Sequence, residues 1–202
     1  MRLPRPSTLL LLIAAALLVS LTPRPAQDAA FDPAAMAEML TLAQPGPEHA
    51  QLARYVGAWK GEVSLWSPFM PAGSEPLKQE ASATCRTILG GRFLEMTAHG
   101  DFMGQPFESV SMMGFDRRNK EWTTVGFDTL GTYWVSGAGT RDDDGIIRMQ
   151  GRDDSPQGQQ LYVFELEFVS DDEFVSSVVF VKQGPKVYDP PFKMVEARYT
   201  RK

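Results

Sequence analysis

The sequence predicts an all-β protein: a single up-and-down antiparallel barrel of about ten strands, preceded by short helices. Three observations carry that expectation. Gly57-Ala58-Trp59 places a G-x-W at the start of the β-rich part. Short apolar runs rich in Val, Phe, Trp, Tyr and Thr follow it, and these residues favour strands. Between the runs lie turn-forming clusters such as Gly90-Gly91, Met103-Gly104-Gln105, Asp116-Arg117-Arg118-Asn119 and Asp142-Asp143-Asp144-Gly145, with no helix-length period among them. Short connections make consecutive strands antiparallel. Closing such a sheet on itself hides both edges. A two-sheet sandwich is the competing arrangement, and it needs longer crossing connections.

At the N-terminus, Arg2 and Arg5 precede an apolar run from Leu9 to Leu21 that is broken only by Ser20. The run is short of the ~20 residues of a membrane span. It matches the ~7–15 residue core of a secretory signal. Residues 1–27 are therefore expected to be a signal peptide, with cleavage where small residues return within Ala26 to Ala30. An uncleaved membrane anchor is the alternative. Residues 28–56 are expected to be a helical lead-in and residues 57–202 the barrel. Asp32 suits an N-cap and Pro33 the first helical position, ahead of a helix-favouring stretch from Ala34 to Leu42. Met36, Met39 and Leu40 form one apolar stripe on it. Gln44-Pro45-Gly46-Pro47 ends that helix, and a second helical turn runs from Glu48 to about Tyr55. Strands are expected near 56–66, 77–89, 92–101, 106–115, 120–128, 132–140, 145–152, 160–169, 173–182 and 192–201. Lys182 to Pro191 holds Gly184, Pro185, Pro190 and Pro191 and reads as a loop across one mouth.

Cys85 is the single cysteine, so no internal disulfide forms and the core alone must hold the domain. Alternation in its strand makes Cys85 a small buried hydrophobe; a reactive thiol needs a lowered pKa and no His or Lys lies close in sequence. Loss of residues 1–27 removes Arg2, Arg5 and Arg24 and no acids, which takes the net charge from -5 to -8. An acidic exported domain of this kind is a poor binder of nucleic acid or of anionic membranes.

Several pieces resemble one known family. They are PGPEH (Pro45 to His49), GAWKG (Gly57 to Gly61), PAGSEP (Pro71 to Pro76), ILGGRFLE (Ile88 to Glu95), GDFMGQPFE (Gly100 to Glu108), GFD (Gly114 to Asp116), FDTLGT (Phe127 to Thr132) and ARYTRK (Ala197 to Lys202). In this order they resemble the bacterial domain-of-unknown-function family 1579, over about Pro45 to Lys202. That family looks like a relative of the calycin barrels, which include lipocalins, fatty-acid-binding proteins and nitrobindin-like haem proteins. The resemblance implies a ligand-binding barrel and carries over no catalytic residue. Where the pattern leads one to expect an aromatic in the fifth strand, this chain has Gly126.

The candidate residues divide into structural and binding ones. Gly57 and Trp59 are expected to plug one barrel end, with a basic residue of the last strand stacked on the indole. Arg198 and Arg201 are the candidates, and Arg198 is the choice. His99, grouped by alternation with Phe93, Glu95 and Thr97, ligates a haem or metal if that face is interior; a satisfied strand polar is the other reading. His49 is a cap that seats the lead-in helix. Asp128 either orients a ligand at the rim or accepts hydrogen bonds from its own turn. Trp122 and Trp134 belong to the aromatic and methionine set that lines or fills the barrel. The Asp142, Asp153-Asp154 and Asp171-Asp172 clusters lack the alternating ligand spacing of a calcium loop and read as solvated turns. Glu95, Glu108 and Glu165 offer carboxylates for acid–base work but no fixed distance, and Arg86 or Arg92 pairs with them equally well.

The expected function is a non-catalytic exported barrel that binds a small hydrophobic or amphipathic ligand. A periplasmic or cell-surface interaction protein is the alternative, and a haem protein or enzyme on the same barrel the third. No metal, cofactor or catalytic residue is assigned. The strand Phe174 to Lys182 is apolar on both faces, which suggests an outer cover by the lead-in helices or by a second subunit in a homo-oligomer.

Overall fold

The computed structural model describes residues 32–202 apart from 72 and 157. The expected signal peptide lies outside the described residues. Helix α1 (Pro33–Leu42) starts as its sequence predicts: the Ala34 N–H donates to the Asp32 carboxylate at 2.9 Å. None of its residues is buried, and the stripe of Met36, Met39 and Leu40 is exposed. No helix among the described residues is long and apolar enough to cross a membrane.

Helix α2 (Pro47–Leu52) and a 3-10 turn (Ala53–Tyr55) lead directly into the sheet. Its strands are β1 (Gly57–Leu65), β2 (Leu77–Ile88), β3 (Phe93–Phe102), β4 (Gln105–Asp116), β5 (Glu121–Asp128), β6 (Trp134–Arg141), β7 (Ile147–Ser155), β8 (Gly158–Ser170), β9 (Glu173–Gln183) and β10 (Lys186–Arg201). Each pairs antiparallel with its neighbour in sequence, and β1 also pairs with β10, which closes the barrel. The expected loop from Lys182 to Pro191 is mostly strand. A tight turn at Gly184-Pro185 joins β9 to β10, and the two prolines sit where the register between β9 and β10 slips, between Val187 and Phe192. A slip of this kind tolerates the missing N–H donors, so proline content there does not end the strand.

The register decides which face is interior. Trp59 lies opposite Ala83, Ala83 opposite Ala98, and Gly61 opposite Tyr199. Leu94, Met113, Trp122, Ile147, Met149, Tyr162, Phe174 and Ala197 fall on the same side, and all of these side chains are buried. On β9 the inward residues are Phe174, Ser176, Val178 and Phe180. Its outward Val175 and Ser177 are also buried, flanked in the register by Glu167 and Arg198 and by Glu165 and Glu196.

One end of the barrel is closed by packed aromatics. Trp59 is fully buried and meets Phe174 edge-on at 4.8 Å, while Phe174 stacks on Tyr199 at 4.8 Å. Tyr55 from the 3-10 turn packs edge-on against Phe168 and Phe174, and its carbonyl accepts the Trp59 indole N–H at 2.8 Å. The cation on the indole is Arg201, 4.2 Å from the ring centroid. Arg198, the residue expected there, points outward and pairs with Glu173. The reason is parity: on β10 the inward face carries Ala197, Tyr199 and Arg201, and Arg198 is one residue out of phase. Arg201 also donates to the carbonyls of Arg54, Val56 and Asp171 at 2.7–3.0 Å. Gly57, with φ of 138°, leaves the space that this guanidinium occupies: a Cβ there would lie 2.7 Å from Nη1.

His49 fastens the lead-in to this end. Its Nδ1 accepts the Gly46 N–H at 3.0 Å, and its ring meets Phe115 edge-on at 6.3 Å. Burial, with Arg117 and Arg92 nearby, holds its pKa below the usual 6.5 against the opposing pull of Glu48. Arg117 and Arg92 hold the chain just before it by donating to the carbonyls of Thr41, Ala43 and Gln44.

Two outcomes are expected. Trp59→Ala should lower stability by about 3–5 kcal/mol in urea titration, and Arg201→Ala by about 2 kcal/mol as charged hydrogen bonds are lost. Arg198→Ala should cost under about 1 kcal/mol, being a partly exposed pair; equal losses for the two arginines would contradict the assignment. For His49, the fold holds the neutral ring, so its contribution is complete above the unfolded pKa near 6.5 and is lost as pH falls through the lowered folded value. Urea midpoints measured between pH 7 and pH 5 should fall more steeply for the wild type than for His49→Gln.

Candidate functional site

The strand ends fix which mouth is open. Trp59, Phe174, Tyr199 and the helical lead-in occupy the end where β1 begins and β10 finishes. The opposite end carries the β1–β2 loop and the β3–β4, β5–β6, β7–β8 and β9–β10 turns. Toward it several inward positions of β4 to β7 hold small side chains, namely Ser109, Ser111, Thr124, Gly126, Gly137 and Gly151, while Val135, Tyr162, Val178 and Phe180 are larger inward neighbours. The small residues are all partly exposed, whereas the aromatic floor is not. Small residues on the inside of a ten-strand cylinder leave room for a ligand. Gly126 contributes directly: a Cβ there would meet only Val135 and Ser111, at ordinary contact distances of 3.6 and 3.8 Å. An open groove of about 640 Å³ also runs along β5–β8, where Thr123, Ala138, Gln150 and Arg152 are outward.

The four expected binding residues do not converge. Trp122 is inward but part of the core, edge-on to Phe115 at 5.3 Å with Arg141 5.9 Å from its ring. Asp128 reaches the rim on the inward face, and its carboxylate accepts the Leu130 N–H at 2.8 Å, the turn bond that its sequence allowed. Trp134 faces outward and is 64% exposed. His99 is exposed on the outer wall between Ser82 and Glu108, because β3 turns its even-numbered residues inward. It therefore does not reach the interior as a haem or metal ligand. Glu95 and Glu165 are also outward, paired with Arg86 at 2.6 Å and Arg148 at 3.0 Å. Arg148 additionally binds Asp142 and Asp144, so that acidic turn is internally neutralised. Among the described residues no group of three or more His, Cys, Asp or Glu is placed to hold a metal.

Two further polar residues, Asp153 and Tyr162, face the barrel interior. The Asp153-Asp154 pair was expected in a turn, but β7 continues through Ser155, and Asp153 follows Ile147, Met149 and Gly151 on the inward face. That alternation was the available signal. Tyr162 of β8 is 4% exposed; its ring lies against Gly151, where a Cβ would come within 2.2 Å of Cε2. The Tyr162 hydroxyl and one Asp153 carboxylate oxygen are buried without a hydrogen-bond partner. Burial raises both pKa values, that of Tyr162 to about 12, and the charge of Asp154 adds to the rise at Asp153.

The rim is apolar. Phe69, Met103, Leu130, Tyr133, Trp134 and Val187 are all more than half exposed, and each lies in or beside an open-end connection. Such a concentration of exposed large side chains at one end marks a contact or access surface.

A closed ten-strand barrel with an aromatic floor and an open, apolar-rimmed mouth defines a lipocalin-like fold. Residues 44–201 match the model of the family described as a protein of unknown function, DUF1579, and the chain belongs to that family. Among solved structures it is similar to the S-type phycobiliprotein lyase CPES from Guillardia theta, with 9% identity, a TM-score of 0.49, and coverage of 78% of this chain and 98% of that one. Comparison with curated proteins finds no match.

Cys85 sits inward at the closed end and is 2% exposed, and burial pushes its thiol up to about 12. The native protein should therefore resist a chromogenic disulfide reagent at pH 8 and release one equivalent of colour only on denaturation.

Proposed function

We propose that the protein is an exported, non-catalytic binding barrel that holds a small hydrophobic or amphipathic molecule between the aromatic floor and the open mouth. The observation that carries this reading is the inner wall above the floor. On β4 to β7 it carries Ser109, Ser111, Thr124, Gly126, Gly137 and Gly151, all of them partly exposed. A barrel selected only for stability fills such positions with branched side chains, because close packing is what stabilises a core. The exposed aromatics of the rim give an apolar ligand a path that avoids bulk water. Export is supported by the apolar run from Leu9 to Leu21 behind Arg2 and Arg5.

The test uses a neutral fluorescent naphthylamine probe, titrated into the wild type and Gly126→Trp. The backbone at Gly126 accepts a side chain, and an indole there projects into the space beside Ser111 and Val135. Wild-type protein should bind the probe at about one equivalent. Gly126→Trp should bind at least tenfold more weakly while keeping the same thermal midpoint within a few degrees. Undiminished binding by a folded Gly126→Trp would place the probe outside the barrel and overturn the reading.

A further inference from the structure

We propose that Asp153 and Tyr162 form the polar anchor of the cavity and select amphiphiles whose head group is an amine. This inference rests on the cavity reading above and names the chemistry of its ligand. The two residues lie on adjacent strands: Gly151 pairs with Tyr162 and Asp153 with Gln160, so the carboxylate sits diagonally across from the phenol. Diagonal neighbours of this kind are within reach of one head group. Both present a buried oxygen with no partner, and Tyr162 is more than nine-tenths buried.

An unsatisfied buried polar atom is costly, on the order of 1–3 kcal/mol. Several outward carboxylates meet arginines: Glu95 with Arg86, Glu165 with Arg148 and Glu173 with Arg198. At Asp153 no such cation is supplied among the described residues. Its sequence neighbour Arg152 is one residue out of phase and faces outward. Asp128 is a second acid at an inward position of the mouth half. Lys186 shares the inward row of Asp153 through Gln183 and Gln160, but its ammonium lies over the Tyr188 ring, 4.5 Å from the centroid. The inward arginines, Arg141 and Arg201, belong to the closed end.

The missing group is therefore a donor. An ammonium has three N–H bonds. One can go to the Asp153 carboxylate and a second to the Tyr162 hydroxyl oxygen, while the alkyl part lies along Val135, Val178 and the small-residue wall. A hydroxyl head satisfies one partner at a time. A carboxylate head at this anchor meets the Asp153 carboxylate and is repelled.

The experiment displaces the neutral naphthylamine probe with dodecylamine, dodecanol and dodecanoate at pH 7 and 150 mM salt, below their micelle concentrations. Dodecylamine should displace best and dodecanoate worst, with at least a tenfold ratio. Asp153→Asn should shrink that ratio by about tenfold. Tyr162→Phe should weaken amine binding while leaving the thermal midpoint unchanged or higher, since it deletes an unsatisfied hydroxyl. A residue with a purely structural role would give the opposite pair of changes. Equal displacement by amine and carboxylate, or an unchanged ratio in a folded Asp153→Asn, overturns the anchor and leaves the cavity standing. Amine binding that survives in Gly126→Trp assigns the preference to the acidic surface and also overturns it. Failure of the wild type to bind the probe or any of the three overturns the cavity reading and the anchor with it.

Discussion

The stack of Arg201 on Trp59 is where the distant parts of the chain are tied together. The guanidinium reaches the carbonyls of Arg54 and Val56, just before β1, and that of Asp171, in the β8–β9 turn. Those carbonyls have no strand partner of their own at the barrel end, and Arg201 satisfies them while its plane covers the indole. Closure needs this help. The β1–β10 seam joins residues separated by nearly the whole domain, and such non-local pairing is the slowest and entropically most expensive contact to make. A planar cation with several fixed donors is suited to holding that seam, and a lysine could not make the same set of bonds.

Small inward side chains on β4 to β7 give little packing energy, so the lower half has to supply more of it. Phe174 illustrates how. It is 1% exposed and touches Tyr55, Trp59 and Tyr199, which come from the 3-10 turn, the first strand and the last. Glycines let these rings lie flat on the wall. A Cβ at Gly61 would sit 2.7 Å from Tyr199, just as one at Gly151 would collide with Tyr162. Aromatic volume is thus placed against the strands, where it stabilises the sheet. Ser111, Gly126 and Thr124 leave the inside of β4 and β5 open above it.

The strands were legible because their turns are. Gly, Asn and Asp clusters have local reasons to bend the chain, and the expected β2, β4, β5 and β9 match the observed bounds to within a residue. What local chemistry cannot give is the inward face. Several strands are apolar on both sides, so Arg198 and Arg201, or Val135 and Trp134, were equivalent until pairing fixed parity. Once Trp59 is known to face inward, the register carries that assignment around all ten strands. The β9–β10 connection is hidden for a different reason: proline signals a loop, but a slipped register accommodates Pro190 and Pro191 within the strand. Asp153-Asp154 ahead of Pro156 has turn chemistry, yet Asp153 alternates with Ile147 and Met149 and stays in β7.

The contrast between the two faces of the barrel bears most directly on function. On the outside, Glu95, Asp142, Asp144 and Glu165 meet arginines at 2.6–3.0 Å. On the inside, a carboxylate and a phenol are held without partners beside a wall of small residues. Packing could have removed either group at a gain in stability, since an apolar isostere costs nothing in desolvation. The proposed binding reading rests on this contrast, since ligand pockets are mainly apolar with a few placed polar groups.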